Sequence, residues 1–195
     1  MHMVLKPQDI FISLKLVAIG NQPWTYVRLA NELFMSASEI NAGVKRSVRA
    51  GLIIGQVFEE LQIPVKNPEK KAERSHMHWP NRKALEEFLI HGVKYAFPPD
   101  LGEPTRGLPT SYGAVPIKGK IVSQDDMPPV WPYPEGEKRG YSFSPLYPSV
   151  PKAALADSKL YELLVLVDAI RDSRAREANI AIQELRKRLK DYGKS

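Results

Sequence analysis

Cysteine is absent from this 195-residue chain. Disulfides, thiolate zinc sites and cysteine nucleophiles are therefore excluded, and a reducing compartment fits. Long apolar runs are missing too. No stretch approaches the roughly 18 consecutive apolar residues of a membrane span, and the N-terminus lacks a basic segment followed by an apolar one. The expectation is a soluble, cytoplasmic protein with no membrane partner. The usual marks of catalysis are equally scarce. Thr105-Arg106-Gly107 lacks the spaced glycines and the following Lys-Ser/Thr of a phosphate loop. Ser111 and the other serines have no nucleophile-elbow setting. His76 and His78 form His-x-His, but two ligands do not make a metal site. Asp125-Asp126 sits beside prolines and reads as a turn. Neither an enzyme nor a metal or cofactor site is expected.

What the chain does have is positive charge at its two ends. The net charge is +6. Residues 1–58 carry six Lys/Arg against three Asp/Glu, and residues 151–195 carry ten against seven, while the middle nearly balances. Such an excess favours a polyanionic partner.

The densest pattern runs from residue 23 to residue 54. Thr25 is placed to cap a helix in which Val27, Ala30 and Leu33 recur at helical spacing, with Leu29 widening the stripe. After Phe34-Met35, Ser36 and Glu39 form a Ser-x-x-Glu capping box. The helix it opens carries Ile40, Val44 and Val48 on one face. Ser38, Asn41, Ala42, Lys45, Arg46 and Arg49 fall on the remaining surface, and Gly51 sits where a left-handed C-cap is favoured. Short polar residues near the start and cations further along suit a helix that meets base edges and then phosphates. Phe34 occupies the turn, where helix-turn-helix motifs often carry glycine. It must fit without a positive φ or impose a different turn. Gly43 lies inside the second helix, where it weakens the helix or admits a close neighbour.

In the order Leu29-Ala30, Leu33, Met35-Ser36, Ser38, Ile40, Val44-Lys45-Arg46, Val48 and Gly51-Leu52-Ile53, the chain resembles winged helix-turn-helix regulators of the MarR-like kind. The resemblance covers roughly residues 7 to 58. It implies a recognition helix starting at Ser36, with Thr25, Arg28, Ser36, Ser38, Asn41, Ala42, Lys45, Arg46 and Arg49 as the DNA-binding set.

Around this motif, residues 7–19 read as a helix with Pro7 in its first turn and Ile10, Leu14 and Val17 on one face, widened by Phe11. Residues 53–58 and 76–79 are candidate wing strands. The polar loop between them offers Lys66, Lys70, Lys71 and Arg74 to phosphates or simply to solvent. Asn81 caps a further helix reaching about Tyr95. Residues 98–151 hold 12 of the 17 prolines, which rules out a helical interior there. They also hold Tyr112, Trp131, Tyr133, Tyr141, Phe143 and Tyr147, too many aromatics for a disordered spacer. The expectation is an extended arm, with β-prone pieces at 119–122 and 140–143, that packs on its own domain or on a partner. From Asp157 the chain is helical again, with a break at Asp172-Ser173. The two terminal helices either dimerise or pack back.

The expected fold is mainly α with a small β component: a winged helix-turn-helix domain over 1–97, a Pro- and aromatic-rich arm over 98–151 and C-terminal helices over 152–195. The expected function is a dimeric, sequence-specific double-stranded-DNA-binding transcriptional regulator, acting as a repressor. The alternative is an antitoxin or other interaction module that grips a protein partner through Tyr112, Trp131, Tyr133 and Tyr141 of the arm. The weakest reading is a small-molecule sensor with a pocket between helices and arm.

Overall fold

The computed structural model describes residues 4–55, 78–120 and 127–192. It is mainly helical with two small sheets. In chain order, α1 (Pro7–Ile19), α2 (Tyr26–Leu33) and α3 (Ala37–Arg49) lead to β1 (Ile53–Ile54). Then come β2 (Trp79–Pro80), α4 (Arg82–His91), α5 (Val93–Ala96) and β3 (Leu101–Pro109). A 3-10 turn (Ser111–Gly113), β4 (Pro129–Pro132) and β5 (Lys138–Phe143) follow, and α6 (Val150–Ala156), α7 (Ser158–Arg171) and α8 (Ala175–Asp191) end the chain.

Two helices form the centre. Every residue of α1 from Asp9 to Ile19 is buried, and so is every residue of α7 from Leu163 to Arg171. A helix that is apolar all round belongs inside a protein. The apolar run LLVLVDAI in α7 is therefore not one face of an amphipathic helix but a helix surrounded. Buried residues of α1, α3, α4, β4, β5, α6, α7 and α8 join one continuous apolar cluster. The terminal helices thus pack back. Leu185 and Leu189 of α8 are buried in that cluster, and Ile180 is only half-buried.

The local signals are met closely in the first 54 residues. α1 begins at Pro7, Thr25 Oγ1 accepts from the Arg28 amide at 3.0 Å, and Ser36 and Glu39 complete their capping box. Gly51 has φ +75° just past α3. β1 and β2 pair antiparallel, Ile53 opposite Pro80 and Ile54 opposite Trp79. The rest of the wing reading, with Lys66, Lys70, Lys71, Arg74 and His76, lies outside the described residues.

Residues 98–151 are a correction in form. They do not extend as an arm. β3 pairs antiparallel with both β4 and β5, β4 pairs parallel with β5, and the three strands close into a small barrel. The closure demands very close backbone approach. A Cβ at Gly107 would lie 2.0 Å from the Trp131 carbonyl oxygen, and one at Gly140 would lie 1.9 Å from that of Pro128. Only glycine fits such positions. Of the piece 119–122 read as β-prone, residues 119–120 are in a turn and bend instead, and residues 121–122 lie outside the described residues. The helix over 150–156 begins at the end of the proline-rich segment; Pro151 sits in its first turn, where a missing N–H costs nothing.

A buried polar cluster fastens the barrel to α7. Asp168 Oδ2 accepts from Trp131 Nε1 at 2.6 Å and from Thr110 Oγ1 at 2.8 Å. Its Oδ1 accepts from Arg171 Nη1 at 2.6 Å. Arg171 also donates to the carbonyls of Phe97 and Ser144. Burial pushes the Asp168 carboxyl up, while Arg171, Thr110 and Trp131 pull it down. Each polar group in the cluster has a partner, which is what makes its burial tolerable.

Candidate nucleic-acid interface

The candidate surface is the outer side of α3. Its inner side is fixed by three contacts. Ile40 and Val44 are buried in the core. Gly43 lies so close to α1 that a Cβ there would be 2.4 Å from Ile12 Cδ1 and 3.1 Å from Asp9 Oδ1. The glycine therefore serves a helix–helix contact. Arg46 completes the lock: its Nε and Nη2 donate to Asp9 Oδ2 and Oδ1 at 2.7 and 2.6 Å. Asp9 is wholly buried and also accepts from the Lys6 amide at 2.9 Å. The paired carboxylate holds the Arg46 guanidinium above its ordinary pKa.

The nine residues read from sequence divide on this geometry. Arg46 is engaged inward, its side chain 11% exposed, so it is not available to a phosphate. Its role is corrected to one of positioning α3. Arg28 Nε donates to Glu32 Oε1 at 2.6 Å and Nη1 to the Pro23 carbonyl at 2.9 Å, which holds it along α2. Thr25 and Ser36 are caps. The Ser36 hydroxyl donates to Glu39 Oε2 and accepts from the Glu39 amide, so its donor is already used. Ser38, Asn41 and Arg49 are exposed, and Ala42 and Lys45 are half-exposed. At helical spacing these five form one outward stripe. Among the described residues, none of the five makes a side-chain hydrogen bond or ion pair.

The turn between α2 and α3 departs from what the sequence suggested. Phe34 takes the left-handed conformation itself, φ 53° and ψ 46°. Such a backbone is unfavourable by about 1–2 kcal/mol for a residue with a Cβ. Its ring is partly exposed, and the Lys152 ammonium stands 4.2 Å above it. The turn is buttressed from the segment just before α6: Ser149 Oγ donates to the Leu33 carbonyl at 2.6 Å, and Tyr147 Oη donates to Glu39 Oε1 at 2.6 Å. Tyr147, followed by Ser36, holds the Glu39 carboxyl below its ordinary range.

No family model matches the chain, and no curated protein or solved structure matches it either.

Of the four aromatics proposed to grip a partner, two are interior. Trp131 is fully buried on Asp168, and Tyr112 is 8% exposed beneath Arg174. A buried side chain that holds the fold together cannot also be the face of an arm. Tyr133 donates to Glu135 Oε2, and Tyr141 is 45% exposed. His78 is buried near Trp24, whose Nε1 donates to the His78 carbonyl. Among the described residues no group of three metal-ligating side chains occurs. Gly43 admits the close neighbour that the sequence allowed for, whereas Asp9 and Tyr147 support α3 without a local pattern that marks them. Asp9 leaves one trace in the sequence: an acid in the first turn of a largely apolar helix.

Proposed function

We propose that this chain is a winged helix-turn-helix transcriptional regulator that inserts α3 into the major groove of double-stranded DNA. The observation that carries the reading is the outward stripe Ser38, Asn41, Ala42, Lys45 and Arg49 on a capped helix whose opposite side is locked to α1. Asn41 has the groups to pair with adenine, and Lys45 with guanine or a phosphate. Arg49, at the far end, suits a phosphate. The β1–β2 pair directly after α3 is the base of the wing in this reading. As a homodimer the protein reads two half-sites about one DNA turn apart. Repression is the mode of action proposed with it.

The test is fluorescence anisotropy of the full chain with duplex DNA from upstream of its own gene, beside a scrambled duplex, over a salt series. Tighter binding to the native duplex, with Lys45→Ala weakening it, supports the proposal. Equal and weak binding to both duplexes reduces the stripe to a solvated basic surface, and the proposal fails.

A further inference from the structure

A cleft of about 390 Å³ opens between the barrel and the turn that joins α7 to α8. It lies on a different part of the molecule from the α3 stripe. Its apolar walls are aromatic: Tyr112 after β3, and Tyr141 and Phe143 on β5. Its charged groups are Glu103, Asp172 and Arg174. Glu177, in the first turn of α8, acts electrostatically on Asp172 from outside the lining. The lining thus carries two carboxylates against one guanidinium.

Three features show what chemistry the cleft accepts. Arg174 already stands over the Tyr112 ring, 4.6 Å from its centroid, beside Asp172. A cation over an aromatic face next to a carboxylate is therefore an arrangement this cleft supports. The contact of Arg174 with Asp172 is 3.4 Å long, and its side chain is 51% exposed against 9% for Asp172. Burial pushes the Asp172 carboxyl up, Arg174 and a Ser111 hydrogen bond pull it down, and the charges of Glu177 and Asp168 push it up. Glu103 falls where the β3–β5 register shifts, between Gly102 and Pro104. Such bulges re-aim side chains. Glu103 is exposed and makes no ion pair among the described residues.

We propose that this cleft binds a small organic cation, an ammonium or guanidinium with an attached apolar group. The charged end sits between Glu103 and Asp172, and the apolar part lies against Tyr141 and Phe143. The volume falls at the lower end of the range for small-molecule sites, and the aromatic faces attract cations electrostatically.

The test uses the full-length, nitrogen-15-labelled protein. Phenethylammonium and benzylguanidinium are titrated separately, with phenethyl alcohol and phenylpropionate as neutral and anionic controls. Saturable shifts at the amides of Gly102, Tyr112, Asp172, Ser173 and Arg174 are expected from at least one cation. The alcohol is expected to bind about fivefold more weakly, and the carboxylate not to saturate. Glu103→Gln and Tyr141→Leu change exposed side chains, and the remaining amide spectrum reports that the fold persists. Each is expected to weaken the cation about threefold or more. Arg174→Ala removes the competing guanidinium and is expected to tighten it. The proposal is overturned if neither cation shifts these amides, if the alcohol binds as well as the cation, or if Arg174→Ala abolishes binding.

Discussion

The helical unit of residues 7–54 and the barrel of residues 101–143 each depend on a buried aspartate with an arginine, and the two pairs are built differently. Asp9 and Arg46 stand on separate helices, and their two parallel bonds join α1 to α3. Asp168 and Arg171 stand one turn apart on the same helix. Their mutual bond joins nothing new. What matters is the rest of their hydrogen-bonding capacity: Asp168 takes Thr110 and Trp131, and Arg171 takes the carbonyls of Phe97 and Ser144. The first pair sets the register of one helix against another. The second is a hub that ties both ends of the barrel to α7. A buried ion pair adds little net stability over an apolar one, but removing one partner leaves an uncompensated charge. The two pairs should therefore fail differently.

The largest effect is expected for Asp168→Ala. It strands the buried Arg171 guanidinium and leaves Trp131 Nε1 and Thr110 Oγ1 without their acceptor. A loss of about 4 kcal/mol or more is expected in chemical denaturation. Hydrogen exchange should show β3–β5 amides losing protection before those of α1 to α3. Uniform loss across the chain would mean that the hub does not act on the barrel separately. Arg46→Ala comes next. It leaves Asp9 buried with only the Lys6 amide, and about 3 kcal/mol is expected. Here α3 should loosen while the barrel keeps its protection. If Arg46→Ala proved the more damaging of the two, the ranking of hub over pair would be reversed.

These two regions also differ in how much of them the sequence disclosed. Pro7, Thr25, Ser36-x-x-Glu39 and Gly51 act on neighbours within four residues, so helix boundaries up to residue 51 follow from local chemistry. The outward stripe of α3 could be read for the same reason, because helical periodicity places it. The inward role of Arg46 could not. Spacing puts it on the flank of the helix, and only the presence of Asp9 at 37 residues' distance turns it inward. The barrel lies at the other extreme. Its strands pair over long separations, Leu101 with Phe143 for example. Prolines that rule out helix do not say which strand meets which. Trp131 read as a gripping aromatic because its partner Asp168 belongs to a segment that reads, by itself, as one face of a helix.

Gly43 offers a smaller test on the helical side. Alanine there gains about 1 kcal/mol of helix propensity. Its Cβ must displace Ile12 Cδ1, and overpacking of this kind costs about 1–3 kcal/mol. A net destabilisation near 1 kcal/mol is expected for Gly43→Ala in chemical denaturation. A stabilised variant would show that Ile12 can yield and that the α1–α3 contact is looser than the Arg46 pair suggests.

The smallest effect on stability should come from the stripe itself, and that is where function is expected to be most sensitive. Asn41 and Arg49 are exposed and make no side-chain hydrogen bonds or ion pairs among the described residues, so their alanine variants should stay within about 0.5 kcal/mol of the parent. In the anisotropy assay Asn41→Ala is expected to lose preference for the native duplex while keeping most of its total affinity. Arg49→Ala should weaken all duplexes alike and reduce the salt slope by about 1. The contrast with Arg46→Ala separates the roles on one helix. If Arg46 acts by holding α3 in place, its variant should lose stability and DNA binding together. Arg49→Ala should lose binding alone. Equal stability losses for both would mean that the helix's inner and outer arginines are not distinguished by Asp9, and the docking face would have to be sought elsewhere.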